Sequence, residues 1–182
     1  MSKGEDNFVD QEVLAFVKKV YEGKYVKPIT VGFITEKEAD QIEKLRGLKV
    51  CGNRITLDRD AVVHIEKRHG AKGLSDHSMK DNKDIARISY ILSNYDAIML
   101  SQNRSSKYKT IANEPAPHII VIKEMKDIYY VIEAVSDAKT STNHVVSMYK
   151  QPKKAAISSA EMPKPQPNAR SLLEIAAFSF IL

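Results

Sequence analysis

The run His64-Ile65-Glu66-Lys67-Arg68-His69-Gly70 places two of the chain's five histidines beside two adjacent cations in one helix-sized segment. An imidazole can take or give a proton near neutrality, and Lys or Arg can neutralise charge building on phosphoryl oxygens. Together these residue types suit metal-free phosphodiester chemistry, in which a neutral histidine takes the proton of a ribose 2′-hydroxyl. Neighbouring cations keep the neutral form populated because they lower the histidine pKa.

On a helix turning about 100° per residue, with His64 at zero, Lys67 falls near −60° and Arg68 near +40°, so the three share one face. Ala61, Val62, Ile65 and His69 occupy about +60° to +160°, the stripe that should meet the core. His64 is therefore expected with the cations and His69 on the apolar side at the helix end. The two histidines stand five apart, not four apart on one face as in zinc-protease helices, so no metal site and no cofactor is expected.

Other candidates lie near strand ends. Arg104, Lys107, Tyr108 and Lys109 lead into one strand, and Lys139-Thr140-Ser141-Thr142-Asn143-His144 into another. Loop-borne cations and hydroxyls there can hold phosphates, which makes Arg104, Lys107, Lys109, Lys139, Thr140 and Thr142 the candidate substrate ligands. His118, which follows Pro115-Ala116-Pro117, is expected to pack. Glu133, between Ile132 and Ala134, reads either as a half-buried general acid or base or as an edge charge.

The elements that must position these groups follow from periodicity. Residues 11–22 have one apolar helical face, stopped by Gly23, and Tyr25 to Ile34 is β-rich, with Pro28 confining it to an edge or a strand start. Thr35 and Glu38 form a capping box for a helix running to about Arg46, with Gly47 at its C-terminus. After the turn Val50-Cys51-Gly52-Asn53, a short strand spans Arg54 to Leu57, and Asp58 or Asp60 caps the histidine helix, which Gly70 ends. A polar loop follows to Asn82, then one helix from about Lys83 to Ser93.

Ala97 to Leu100, Tyr108 to Ala112, His118 to Ile122, Ile128 to Val135 and Val145 to Tyr149 read as strands, with a tight hairpin at Lys126-Asp127. The fold class expected is α+β, with N-terminal helices packed on a curved four- to five-stranded antiparallel sheet. Three regions are expected: a helical extension over 1–27, a compact domain over 28–150, and a Pro-rich linker with an apolar tail over 151–182. Leu172 to Leu182 is apolar enough to dock on the domain or on a partner.

The net charge of +5 and pI near 9.1 favour a polyanionic partner, although they equally suit plain solubility. A single cysteine excludes an internal disulfide framework and a multi-cysteine zinc site. No signal-like stretch and no run long enough to span a bilayer is visible, so the expected location is cytoplasmic, without membrane contact.

Several of these segments carry a resemblance. Val31-Gly32-Phe33-Ile34-Thr35, Gly47-Leu48-Lys49-Val50-Cys51-Gly52, the histidine run, Asp84-Ile85-Ala86-Arg87-Ile88 and Asn94-Tyr95-Asp96 resemble a phage-associated family likened to barnase, EndoU, colicin-type and RelE-type ribonucleases. The resemblance covers residues 28 to 150. It implies metal-independent RNA cleavage leaving a 2′,3′-cyclic phosphate, in a domain carried by phages and mobile elements. His64 would then be base or acid, Arg68 and Lys67 phosphate ligands, and His69 an orienting or second acid–base residue. Asn94-Tyr95-Asp96 departs from the family's Asn-Pro-Asp form.

RNA is the partner implied, with an immunity or inhibitor protein as a second, because unrestrained ribonuclease kills its host. The alternative is a catalytically silent RNA-binding or protein-interaction module on the same fold.

Overall fold

Asp10 starts the first helix by accepting the backbone N–H groups of Glu12 and Val13, and α1 (Gln11–Tyr21) buries Val13, Phe16, Val17 and Val20. The computed structural model describes residues 8–153; the expected apolar tail, Leu172 to Leu182, lies outside the described residues. After α1 come β1 (Ile29–Phe33) and α2 (Glu36–Arg46). The Thr35–Glu38 capping box is formed in full, and Gly47 closes α2 in the left-handed conformation at φ 64°. β2 (Arg54–Leu57) leads directly into α3 (Arg59–His69), the histidine helix.

The single helix expected from Lys83 to Ser93 is two, α4 (Asn82–Ile85) and α5 (Ile88–Ser93). The break at Ala86 and Arg87 has a physical use. It frees the Ala86 carbonyl to accept Asp10 N–H at 2.8 Å, which ties α1 to this turn. Asn94-Tyr95-Asp96 is also a tie: Tyr95 donates to Glu38, and Asp96 accepts from Lys123 Nζ at 2.8 Å and Glu124 N–H at 2.7 Å.

The remaining strands are β3 (Ala97–Lys109), β4 (Pro115–Met125), β5 (Ile128–Asp137) and β6 (Thr142–Pro152). β3 runs from the first short strand expected there through to Lys109, bent where its pairing with β4 shifts register, and Thr110 to Ala112, expected to continue a second strand, lie in the turn to β4. β6 runs two residues past Lys150, where a linker was expected.

The sheet has six strands in the order β1-β2-β6-β5-β4-β3, not four or five. It is mixed, because β2 and β6 are parallel. Hairpin reasoning counts neighbours in sequence. β6 returns beside β2 only after a long excursion, so no tight turn dictates its direction. β1 stands at the edge, where Pro28 had placed it.

Along β5 the residues alternate between two faces. Tyr130 and Ile132 join the main core with α1, α4 and α5, alongside Val145 and Met148 of β6. Tyr129 and Val131 point to the other face, with Ile120 and Tyr149. Glu133 and Val135 follow them there by the same alternation.

β2 pairs with β6 only at Ile55–Asn143 and Thr56–His144, and α3 packs against β6 beyond that point. The histidine helix thus lies beside the open stretch of β6. No helix among the described residues is long and apolar enough to cross a membrane.

Candidate active site

Asp58 caps α3 by accepting Ala61 N–H at 2.8 Å, and Ala61, Val62 and Ile65 are buried. That anchoring leaves His64, Lys67 and Arg68 exposed on one side, as the helical angles predict. At its C-terminus the carbonyls of Lys67, Arg68 and His69 are taken by the N–H groups of Leu74, Ser75, Asp76 and Met79, so the following loop folds back over the helix end. Gly73 sits inside this fold-back. A Cβ there would lie 2.3 Å from the Asp76 carbonyl oxygen and 2.5 Å from that of Arg68.

The loop delivers Asp76 to His69, with Oδ2 2.8 Å from Nδ1. His69 turns inward as expected, yet it does not join the aliphatic core. Its ring stacks on Tyr149 at 5.1 Å and 27°. Burial alone would raise the Asp76 carboxyl, but hydrogen bonds from Ser78 and His69 outweigh it and hold the group below its ordinary value.

Past the open edge of β6, beside α3, lies the sheet face that carries Glu133. His118 Nδ1 lies 2.7 Å from Glu133 Oε2, and each side chain is 18% exposed. A carboxylate can only accept, so Nδ1 carries the proton and Nε2 is left for another partner. The packing role expected for His118 gives way to this pairing, because β4 places it diagonal to a carboxylate.

Tyr149 is the next member. Burial pushes its phenol well above the ordinary value, and the Glu133 and Asp76 charges push the same way. His64 is pushed in the opposite sense. Partial burial lowers its pKa most, His69, Arg68 and Lys67 lower it further, and Glu133 opposes them. His64, His118–Glu133, Tyr149 and His69–Asp76 therefore form one electrostatically connected group, with Lys67 and Arg68 on its exposed rim.

The candidate ligands from the strand ends gather elsewhere. His144 Nε2 is 3.0 Å from Thr140 Oγ1, which donates to Asp137 Oδ2 at 2.8 Å, and the His144 ring stacks on Tyr108 at 4.6 Å and 8°. Lys107 Nζ stands over the Tyr108 ring and 3.6 Å from Asp60. Lys109 donates its N–H to Asp137, Thr142 its hydroxyl to the Thr140 carbonyl, and Arg104 a guanidinium N–H to the Pro115 carbonyl. Lys139 is exposed in the β5–β6 turn.

Strand register relates the two groups. His118, Val135 and His144 face one another across β4, β5 and β6. At about 4.8 Å per strand, His118 and His144 are roughly 10 Å apart on one face. A cavity of 630 Å³ lined by Leu48, Lys49, Arg104, Ile111 and Pro117 contains none of these histidines.

Sequence reasoning did not offer His118, Tyr149 or Asp76 as site candidates, and named His144 only at the end of the Lys139–His144 run. Alternation along β4 and β5, with the irregularity that gives β6 one extra residue at Val146, puts His118, Glu133, His144 and Tyr149 on one face, but only once the register is known. Among the described residues no group of three His, Cys, Asp or Glu side chains is arranged to hold a metal ion.

Comparison with curated proteins and with solved structures finds no match. Residues 32–158 do match a family, described as phage-Barnase-EndoU-ColicinE5/D-RelE like nuclease, and that span includes every member of the histidine group. The match covers more than half of the chain, and the protein therefore belongs to this phage-associated family of nuclease-like domains.

Proposed function

We propose that this chain is a metal-independent endoribonuclease acting in the cytoplasm, cutting RNA by attack of a ribose 2′-hydroxyl on the adjacent phosphate. The products would be a 2′,3′-cyclic phosphate and a 5′-hydroxyl. One observation carries this reading: two carboxylate-held imidazoles, His118 on Glu133 and His69 on Asp76, stand in one group with His64, whose pKa is lowered.

The roles divide by environment. His64, kept neutral near pH 7, takes the 2′-hydroxyl proton. His118 enters the step as the imidazolium, its Nδ1–H held and oriented by Glu133, and gives its Nε2 proton to the departing 5′ oxygen, ending neutral. His69 is the second acid–base or orienting residue. Arg68 and Lys67 neutralise the charge developing on the phosphoryl oxygens. Lys107, Lys109, Arg104, Lys139, Thr140 and Thr142 extend the RNA contact along the chain on either side.

The nuclease domain is taken as residues 28–150, preceded by the helical extension and followed by the linker and tail. An activity of this kind calls for an immunity or inhibitor protein in the cell that makes it.

The test is incubation of the full chain with tRNA and total RNA in EDTA, beside His64→Ala. Cleavage by the wild type that falls at least about a hundredfold in the variant is expected. Equal cleavage by both, or none by either, contradicts the reading. RNA that binds in a salt-sensitive manner but keeps its length would point to the silent binding module instead.

A further inference from the structure

Ser78 joins two networks, only one of which contains the histidines. In the buried one, Asp84 accepts Arg87 Nη1 at 2.6 Å and the Tyr130 hydroxyl at 2.9 Å on Oδ1, and Lys150 Nζ at 2.7 Å on Oδ2. This is the Asp84-Ile85-Ala86-Arg87-Ile88 segment, which lies away from the histidine group. Lys150 follows Tyr149 in β6, so its ammonium reaches the helix side while the Tyr149 ring serves the other face.

The connection runs through the open edge of β6. With β2 no longer alongside, Lys150 N–H needs an acceptor and finds Ser78 Oγ at 3.1 Å. Ser78 in turn donates its own N–H to Asp76 Oδ1 at 2.8 Å. Asp76 Oδ2 is thereby left for His69 Nδ1.

We propose that Ser78 is a positioning residue, which fixes the carboxylate of Asp76 against β6 and through it the tautomer and ring plane of His69. An aspartate carboxylate is otherwise free to turn about its Cβ–Cγ bond and swing its oxygens out of the imidazole plane. A hydrogen bond from a residue whose own hydroxyl is held by the strand removes that freedom. The buried Asp84–Lys150 pair then has a consequence at the site, since it pins the stretch of β6 to which Ser78 is bonded. This inference rests on the reading of His69 as an acid–base or orienting group.

The test uses the full chain with Ser78→Ala and Ser78→Thr. Nitrogen-15 NMR of the His69 ring in its neutral form reports which nitrogen carries the proton, and carbon-13 NMR follows the titration of Asp76. The wild type is expected to hold the proton on Nδ1. Ser78→Ala should give a mixture of tautomers and move the Asp76 midpoint up, and Ser78→Thr should restore both. On RNA, kcat should fall about tenfold in Ser78→Ala with little change in KM, a fraction of the roughly 10²- to 10⁴-fold that a whole acid–base group contributes.

An unchanged tautomer and Asp76 titration in Ser78→Ala, or a Ser78→Thr variant no different from it, overturns the proposal. If the wild type does not cleave RNA, the nuclease reading fails, and the NMR arms still decide the role of Ser78.

Discussion

His118 Nδ1 lies 2.7 Å from Glu133 Oε2 although the two are not opposite one another in the sheet: His118 faces Val135, and Glu133 faces Ile120. They are diagonal neighbours on one face of an antiparallel pair, within reach of long side chains. The carboxylate therefore holds the imidazole from one side along the strand and leaves the Nε2 edge available above the floor.

Glu133→Gln should expose the value of that contact. The amide keeps the shape of the side chain but can turn a donor toward Nδ1, so the ring loses its fixed tautomer. Initial rates on a short RNA substrate should show kcat lower by about a hundredfold with KM changed far less. A melting temperature close to that of the wild type would show that the loss is not one of folding.

The pH dependence of cleavage has a definite sign. Partial burial and the neighbouring cations hold the His64 pKa below the ordinary histidine value of 6.5, and the neutral form acts as base. kcat/KM should thus rise with pH through a midpoint below 6.5. Arg68→Ala removes a charge that lowers this pKa and should move the midpoint up, whereas Glu133→Gln removes one that raises it and should move the midpoint down. Rate profiles of the two variants between pH 4.5 and 8 would check the opposed shifts, about which the wild type should lie.

How much of this was legible in the sequence depended on how local each feature is. The face of His64, Lys67 and Arg68, the Thr35–Glu38 box and the Gly47 cap rest on residues a few positions apart, where periodicity and side-chain chemistry decide. The His118–Glu133 pair, the Tyr149 ring beneath His69 and the parallel β2–β6 contact each depend on register between distant segments. Asp76 was hidden for a different reason. It reaches His69 only because the loop turns back over the end of α3, at a close approach that Gly73 permits.

Stability should depend on the buried ion network. Asp84, 5% exposed, is shared by Arg87, Lys150 and Tyr130, and Asp84→Ala would take the carboxylate away from the buried Arg87 and the half-buried Lys150. Losing one partner of such a group costs about 3–5 kcal/mol. Thermal unfolding followed by circular dichroism should show a fall of roughly 10 °C.

Two further groups give stability a pH dependence. Burial lowers the pKa of His144 below the ordinary histidine value of 6.5, so the unfolded chain takes that proton first, and stability falls as pH drops from about 6.5. Burial would raise Asp137, but bonds from the Thr140 hydroxyl and the N–H groups of Lys109, Thr140 and Lys139 hold it below the ordinary aspartate value of 3.8. Its contribution is present above about pH 3.8 and is lost as pH falls through the folded value. In urea unfolding across pH, His144→Gln should flatten the slope below about pH 6.5, and Asp137→Asn the slope below about pH 3.8.

The central claim is that the ribose 2′-hydroxyl is the nucleophile and that His64 and His118 move its proton and that of the leaving group. A DNA oligonucleotide with a single internal ribonucleotide, incubated with the full chain in EDTA and analysed by mass spectrometry, tests it most directly. Cleavage only at the ribonucleotide, with a 2′,3′-cyclic phosphate on one fragment and a 5′-hydroxyl on the other, is predicted, together with its loss in His64→Ala and His118→Ala. Cleavage at deoxynucleotides, a 5′-phosphate product, or unchanged cutting by both variants would contradict it.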